Sequence, residues 1–457
     1  MKKNKINSYW LKQSFVLAII GLLSVGLFSC KEKEDPIEIF TVKVKLVYPA
    51  GFQTQAGVTV KFENTATNIT YEAQTNGEGV AQFEVTAGAY NASASESRVE
   101  GTTQYIFNGL VTNRIVSADL DIDLVLQEST VSQLVIKELY NGGCQRDDGS
   151  GAFNNDSYVI LYNNSSEPTT LVNACFGMVN PYNSNGTNND YNADGKLLYD
   201  GQGWIPAGPG IWYFPQSVTI DPGKQIVVAF KNAIDNTEVY SNSINFNNSE
   251  YYCYYDPESP FSSASVYPPP APAIPTNHYL KTAYFGAGNA WALSVSSPAF
   301  FVFTTPMAPQ AFVDNEIYFN QYNNSTTIAN ERRKVQVDWI LDAIEVYTYG
   351  NATNSKRLTA TVDAGYVELR NQYGFTLYRN VDKEATEAIP ENEGKIVSNY
   401  SLGTYEYDFD GDILYGTTDP SGIDAEASIK NGARIVYKNT NNSSNDFHMR
   451  RRASLRN

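Results

Sequence analysis

Histidine is nearly missing from this chain of 457 residues: His278 and His448 are the only two, which excludes a three-histidine metal centre within one molecule. Lysine and arginine (33) are outnumbered by aspartate and glutamate (49), giving a formal charge of −16. That acid excess repels phosphate backbones and favours cationic partners, solubility or bound metal ions, so a general nucleic-acid binder is disfavoured. Walker and Rossmann glycine loops are absent, and no Gly-x-Ser-x-Gly elbow accompanies either histidine, so nucleotide chemistry and serine hydrolysis have no motif here. The apolar run Phe15 to Phe28 falls short of the ~20 residues a membrane-spanning helix needs.

What that short run does fit is an export signal. Lys2, Lys3, Lys5 and Lys12 precede it, and Leu27-Phe28-Ser29-Cys30 closes it, which is the pattern of a bacterial lipoprotein signal. Residues 1–29 are expected to be removed and Cys30 to carry the lipid, palmitate included. Loss of four lysines and no acid takes the formal charge to −20. Residues 30–37 then form a lipidated tether, and Lys31-Glu32-Lys33-Glu34-Asp35-Pro36 resembles the acidic signal that sends some lipoproteins to the outer face. The expected location is therefore the outer membrane, anchored in its lipid and facing the exterior. Cys144, Cys175 and Cys253 remain as disulfide candidates in an oxidising compartment: one bridge and one leftover thiol, with no pair selected by spacing.

Abundant Tyr, Phe, Gly, Asn and Thr, with little helical periodicity, predict a mostly β protein. From Phe40, Val42, Val44 and Leu46 alternate with polar residues; Val58, Val60 and Phe62 form a second strand, followed by a polar turn through Asn64 to Asn68, and Val80 to Val85 form a third after the turn at Asn76-Gly77-Glu78-Gly79. With Ala87-Gly88-Ala89-Tyr90, this order resembles the carboxypeptidase-regulatory-like or transthyretin-like β-sandwich over residues 38–127, a module that commonly serves as a stalk or spacer.

A larger β region is expected over 131–450, with 451–457 as a frayed tail that includes part of the basic cluster Arg450 to Arg452. Its strands are Val131 to Asn141, Asp156 to Asn164 and, after Asp221-Pro222-Gly223, Lys224 to Ala229. Together they are similar to a lamin-tail-like β-sandwich, although Ile160 stands where that pattern has a glutamate. Val337 to Val346, Asp363-Ala364-Gly365 and Asn439 to Phe447 resemble stations of a lipoprotein family, domain of unknown function 4876, over most of 131–450. That resemblance implies an accessory to TonB-dependent nutrient, iron or haem uptake. The strand through Trp339 leaves two organisations open, a second subdomain or a return to the first sheet. Tyr267-Pro268-Pro269-Pro270-Ala271-Pro272-Ala273-Ile274-Pro275 reads as an extended surface loop.

Asp190, Asn192 and Asp194 alternate before Gly195, as ligands do in a calcium loop, with the Lys196 carbonyl next and Asp200 one position short of the closing acid. The competing reading is an Asn/Asp-rich turn held by local hydrogen bonds. Asp408-Phe409-Asp410-Gly411-Asp412 is a weaker acidic turn. The aromatics Tyr251, Tyr252, Tyr254, Tyr255, Trp204, Trp212 and Trp291 read chiefly as buried cross-strand pairs, and secondarily as a platform for sugar, porphyrin or protein. The expectation from all of this is a non-enzymatic, lipid-anchored binding accessory to a TonB-dependent receptor. A calcium-stiffened adhesion protein is the alternative, and a surface-polymer hydrolase, lacking an evident acid and base pair, the weakest.

Overall fold

The structure is a computed structural model that describes residues 38–456 apart from 101–102, 131–133, 209, 260–266, 286–292, 322–330, 399, 401–404 and 408–409. The signal 1–29, Cys30 and its tether, Trp291, Asp408 and Asn457 lie outside the described residues. The fold is mostly β, with a few short helices.

The alternation beginning at Phe40 becomes the strand Ile39–Val47, which buries Val42, Val44 and Leu46. It lies between Val80–Thr86, antiparallel, and Leu120–Val125, parallel. A second sheet runs in the order Thr70–Gln74, Thr59–Asn64, Gly88–Glu100, Thr103–Val116, Gln127–Thr130. Val60, Phe62, Phe83, Tyr90, Phe107 and Leu124 share the core of this sandwich with the first strand. The Phe62 ring stacks on Tyr90 at 4.6 Å, and the Tyr90 hydroxyl reaches the Thr86 carbonyl, so the buried phenol is satisfied locally. Both predicted turns are held by asparagine: Asn64 Oδ1 accepts from the amides of Ala66 and Thr67, and Asn76 Oδ1 from those of Glu78 and Val80.

The larger region is built on one sheet of 12 strands. Their order is Val367–Leu369, Ile340–Thr348, Ala299–Thr304, Ala174–Met178, Gly210–Tyr213, Tyr279–Phe285, Tyr252–Tyr254, Gln225–Ala229, Tyr158–Asn163, Leu134–Tyr140, Thr376–Arg379, Phe447–Arg450. The sheet curls until its first and last strands approach each other, enclosing Ile136, Leu161, Phe176, Phe300, Ile344 and Leu377. Ile340–Thr348 pairs with Ala299–Thr304 within this sheet.

Leu134–Tyr140 and Tyr158–Asn163 are buried at every position. Antiparallel sheets usually leave one face to water, and continuous burial therefore requires a cover on the outer face. Loops between residues 380 and 440 supply part of it, packing Val381, Ile423, Ile435 and Tyr437 on Val135, Tyr162 and Tyr378. Phe246, Ile274 and Ala453 cover Tyr140, Tyr158 and Ile160.

Two expectations are corrected by that cover. The proline-rich segment is a surface loop only in part: Pro269, Pro272 and Ala273 are exposed, but Tyr267, Ala271 and Ile274 are buried and the Ala271 amide donates to the Ala233 carbonyl. The carboxyl terminus is not frayed either: Phe447–Arg450 pairs with Thr376–Arg379, and Ser454 donates its amide (2.9 Å) and its hydroxyl to the carboxylate of Glu138. Glu138 is fully buried and its pKa is raised by burial, so it needs those donors. Deleting residues 451–457 should cost about 2–3 kcal/mol, the penalty of a buried charged acceptor left unmatched, read as a clear drop in Tm; an unchanged melt would show the tail to be dispensable.

Candidate functional site

The candidate calcium residues do not converge on a cation. Asp190 is buried and forms a bidentate ion pair with Arg332, at 2.6 and 3.1 Å, across the neighbouring sheet. Asn192 Oδ1 accepts from the amides of Asp194 and Lys196, both at 2.9 Å, and the Lys196 carbonyl accepts from the Asn192 amide. Gly195 adopts φ +73°, the left-handed geometry that closes the turn, while Asp194 points to solvent and Asp200 is half-buried. The segment is an asparagine-held turn whose first acid belongs to a buried ion pair. Among the described residues, no cluster of three or more His, Cys, Asp or Glu side chains could hold a metal ion.

The cysteines are corrected too: Cys144, Cys175 and Cys253 are all buried and unbonded. Cys175 packs on one outer face of the large sheet with Phe301 and Ile211, and Cys253 on another with Tyr158 and Ile160. Cys144 instead donates to Asp156, 3.7 Å away, and burial together with that carboxylate pushes its thiol up to about 12. Asp156 is itself fully buried, takes hydrogen bonds from Ser243 (2.7 Å) and Tyr140 (3.3 Å), and is pushed up by burial to about 6.

His278 stacks on Tyr252 at 4.0 Å. His448 is buried, faces Asn380 Oδ1 at 2.8 Å, and is lowered to about 3 by burial and by Arg450, so its ring is neutral at ordinary pH. Trp212 and Tyr254 stack at 4.5 Å within the core, as expected of cross-strand aromatics.

The three stations near residues 342, 363 and 443 meet in a buried network. Glu345 Oε1 accepts from Arg357 Nε and Nη2 at 2.9 and 2.8 Å, and its Oε2 accepts from the amides of Arg357 and Leu358. Asp363 binds the amides of Glu345, Gly365 and Ser443. Asp342 accepts from the Ile136 amide (2.6 Å) and from Arg379, which also reaches Asp446 at 3.5 Å. Gly365 must be glycine, because a Cβ there would lie 2.0 Å from Asn442 Oδ1. Every charge in this network is answered internally, so it ties loops to the sheet and offers nothing to a substrate.

Open space lies instead where the amino-terminal sandwich meets the larger region. The Tyr366 hydroxyl donates to both carboxylate oxygens of Glu63, at 2.6 and 2.5 Å, and Asn108 Nδ2 donates to the Thr440 and Asn441 carbonyls, at 2.6 and 3.2 Å. Beside the first contact is a cleft of about 400 Å³, lined from one module by Glu63 and Asn91 and from the other by Tyr347, Tyr366 and Glu368. A smaller recess of about 260 Å³ shares Glu63, Asn91, Tyr347 and Tyr366. Tyr347 and Tyr366 stack at 4.0 Å, and Glu368 is raised by burial, with Glu63 adding repulsion. A polar groove of about 750 Å³, lined by Lys61, Asn380 and Lys438 among others, follows the second contact. None of the cleft residues stood out in the sequence, although Tyr366 and Glu368 directly follow the Asp363 station; their partner Glu63 is some 300 residues away.

Comparison with known proteins adds a family without a function. Residues 221–399 match the sequence model of a family described as protein of unknown function (DUF4876). No curated protein matches. Among solved structures, the chain is similar to a DUF4876 family protein from Bacteroides thetaiotaomicron VPI-5482, with 19% identity, 89% of this chain and 94% of that chain covered, and a TM-score of 0.47. Weaker likenesses are the Bacillus anthracis TIE protein (9% identity, 84% and 42% covered, TM-score 0.14) and BcpA, the major pilin subunit of Bacillus cereus (9%, 74% and 100%, 0.15).

Glu345→Gln should destabilise the protein by about 3–5 kcal/mol in denaturant melts, because Arg357 would stay buried without its partner; a loss under 1 kcal/mol would contradict the network's structural role. Asp156 gives a pH signature. Its folded pKa is raised, so its contribution is fully present below the unfolded value of about 3.8 and is lost as pH rises through about 6. Asp156→Asn should therefore leave stability little changed at pH 4 and raise it by roughly 2–3 kcal/mol at pH 8, where nearby Lys231, itself lowered by burial, gives the wild-type carboxylate only partial relief. A difference between wild type and variant that does not vary with pH would refute the assignment.

Proposed function

We propose that this chain, whose residues 221–399 carry the DUF4876 match, is a non-enzymatic surface binding protein that holds its ligand between two β modules. On this reading Cys30 anchors it by lipid in the outer membrane, facing outward, and it acts as an accessory to a TonB-dependent receptor in nutrient, iron or haem uptake. The observation that carries the proposal is the distribution of polar groups. Buried ion pairs are answered within the fold, whereas the clefts along the junction of the modules are lined by side chains from both. Binding residues commonly sit on loops and edges held by a rigid scaffold, and junctions between modules are frequent ligand sites. Among the described residues, no helix is long and apolar enough to cross a membrane. The receptor role follows the family resemblance and is chosen over calcium-stiffened adhesion because Asp190 and Asn192 are already engaged within the protein.

The test is recovery from outer membranes of the Cys30-lipidated protein, tagged at its carboxyl terminus. A TonB-dependent receptor recovered in stoichiometric amount is the expected result. Recovery of the protein alone, with calcium-dependent attachment to surface polymers, would replace this reading by adhesion.

A further inference from the structure

Two carboxylates in the junction cleft have no cationic partner among the described residues. Glu63 accepts only the Tyr366 hydroxyl there, and Glu368 accepts the Gly350 amide at 3.1 Å. The cations nearby are engaged elsewhere. Lys356 turns its ammonium to the Asp363 carbonyl (2.7 Å), the Gly365 carbonyl and Glu345 (3.6 Å). Lys61 is shared between Glu72 at 3.8 Å and Asn445 at 3.5 Å. Arg370 contributes to the field at Glu368, but its guanidinium lies 3.4 Å from the centroid of the Tyr349 ring and donates to the Tyr415 carbonyl.

A second observation is independent of charge. Tyr347 is only 9% exposed, lines both recesses, and its hydroxyl has no hydrogen-bond partner among the described residues. Its oxygen is not sealed from solvent and so stays available to a ligand. The remaining opening of this side chain is toward the cleft, where its ring is stacked on that of Tyr366. Unanswered carboxylates beside an aromatic pair and an unmatched phenol oxygen form a receptor for a positively charged donor group: the acids supply charge, the rings supply a π surface, and the hydroxyl accepts a hydrogen bond.

We infer that the cleft lined by Glu63, Glu368, Tyr347 and Tyr366 binds an organic cation, an ammonium or guanidinium group carried by a small amine or by a basic peptide segment. This rests on the binding-protein reading above and specifies its ligand. An anionic ligand would meet two like charges, and a neutral sugar would leave both uncompensated.

Isothermal titration of the full chain with spermidine and with an arginine tripeptide tests the inference, with maltotriose as the neutral probe. Binding of spermidine assigns the cation to small amines, and binding of the tripeptide alone assigns it to a basic segment. In either case Glu368→Gln should weaken binding at least tenfold, and salt should weaken it as well. Glu250→Gln, which alters an exposed acid that does not line the cleft, should leave affinity unchanged. Thermal melts of both variants establish that folding is retained. Equal loss in the two variants, or none in Glu368→Gln, would reveal general attraction to an acidic surface and overturn the inference. Binding of maltotriose alone would also overturn it while leaving the cleft a ligand site. Failure of all three probes overturns the cation assignment without touching receptor association, which the membrane recovery measures separately.

Discussion

Everything in the larger region depends on how the strand Ile340–Thr348 is tied to its surroundings by buried acid–base contacts. Asp342 and Glu345 project from it, and each is held by an arginine and by backbone amides from distant segments. Burying these ions is costly unless every lone pair and every N–H is matched, so the partners cannot shift independently. The loop holding Arg357, the Asp363–Gly365 turn and the Asn442–Asp446 segment are thereby fixed together, and with them the wall that faces the amino-terminal sandwich.

That wall changes the meaning of the first module. Glu63, Asn108 and Gln127 of that module all bond directly to the larger region. These contacts are few and polar, as expected of a junction between domains rather than of a continuous core. The same polarity leaves space between the modules, which is why the recesses follow the junction and avoid the tightly filled sheet interior.

Legibility in the sequence followed distance along the chain. The turns at Asn64 and Asn76 and the alternation of Val42, Val44 and Leu46 involve near neighbours, and they were readable. The local spacing at Asp190 imitates a cation loop, while its actual partner, Arg332, is 142 residues away. Residues 451–457 looked like a loose end because only the fold shows that the sheet's last strand, Phe447–Arg450, runs directly into them and that Ser454 bonds to Glu138. The cysteines invited pairing by number and compartment, yet Cys175 and Cys253 pack in different clusters and all three are free. Glu63 and Tyr366 carry no mutual signal at all, since nothing in either neighbourhood anticipates the other.

The placement of Phe447–Arg450 at the end of the large sheet has a consequence for biogenesis. Its partner Thr376–Arg379 pairs on the other side with Leu134–Tyr140, so the sheet's final rows join segments made early and late in synthesis. Contacts of such long range form slowly, because a large loop must close before they can stabilise anything. The large sheet therefore cannot be completed before Phe447–Arg450 has been made. Arrival of that strand is then the step that completes the large sheet.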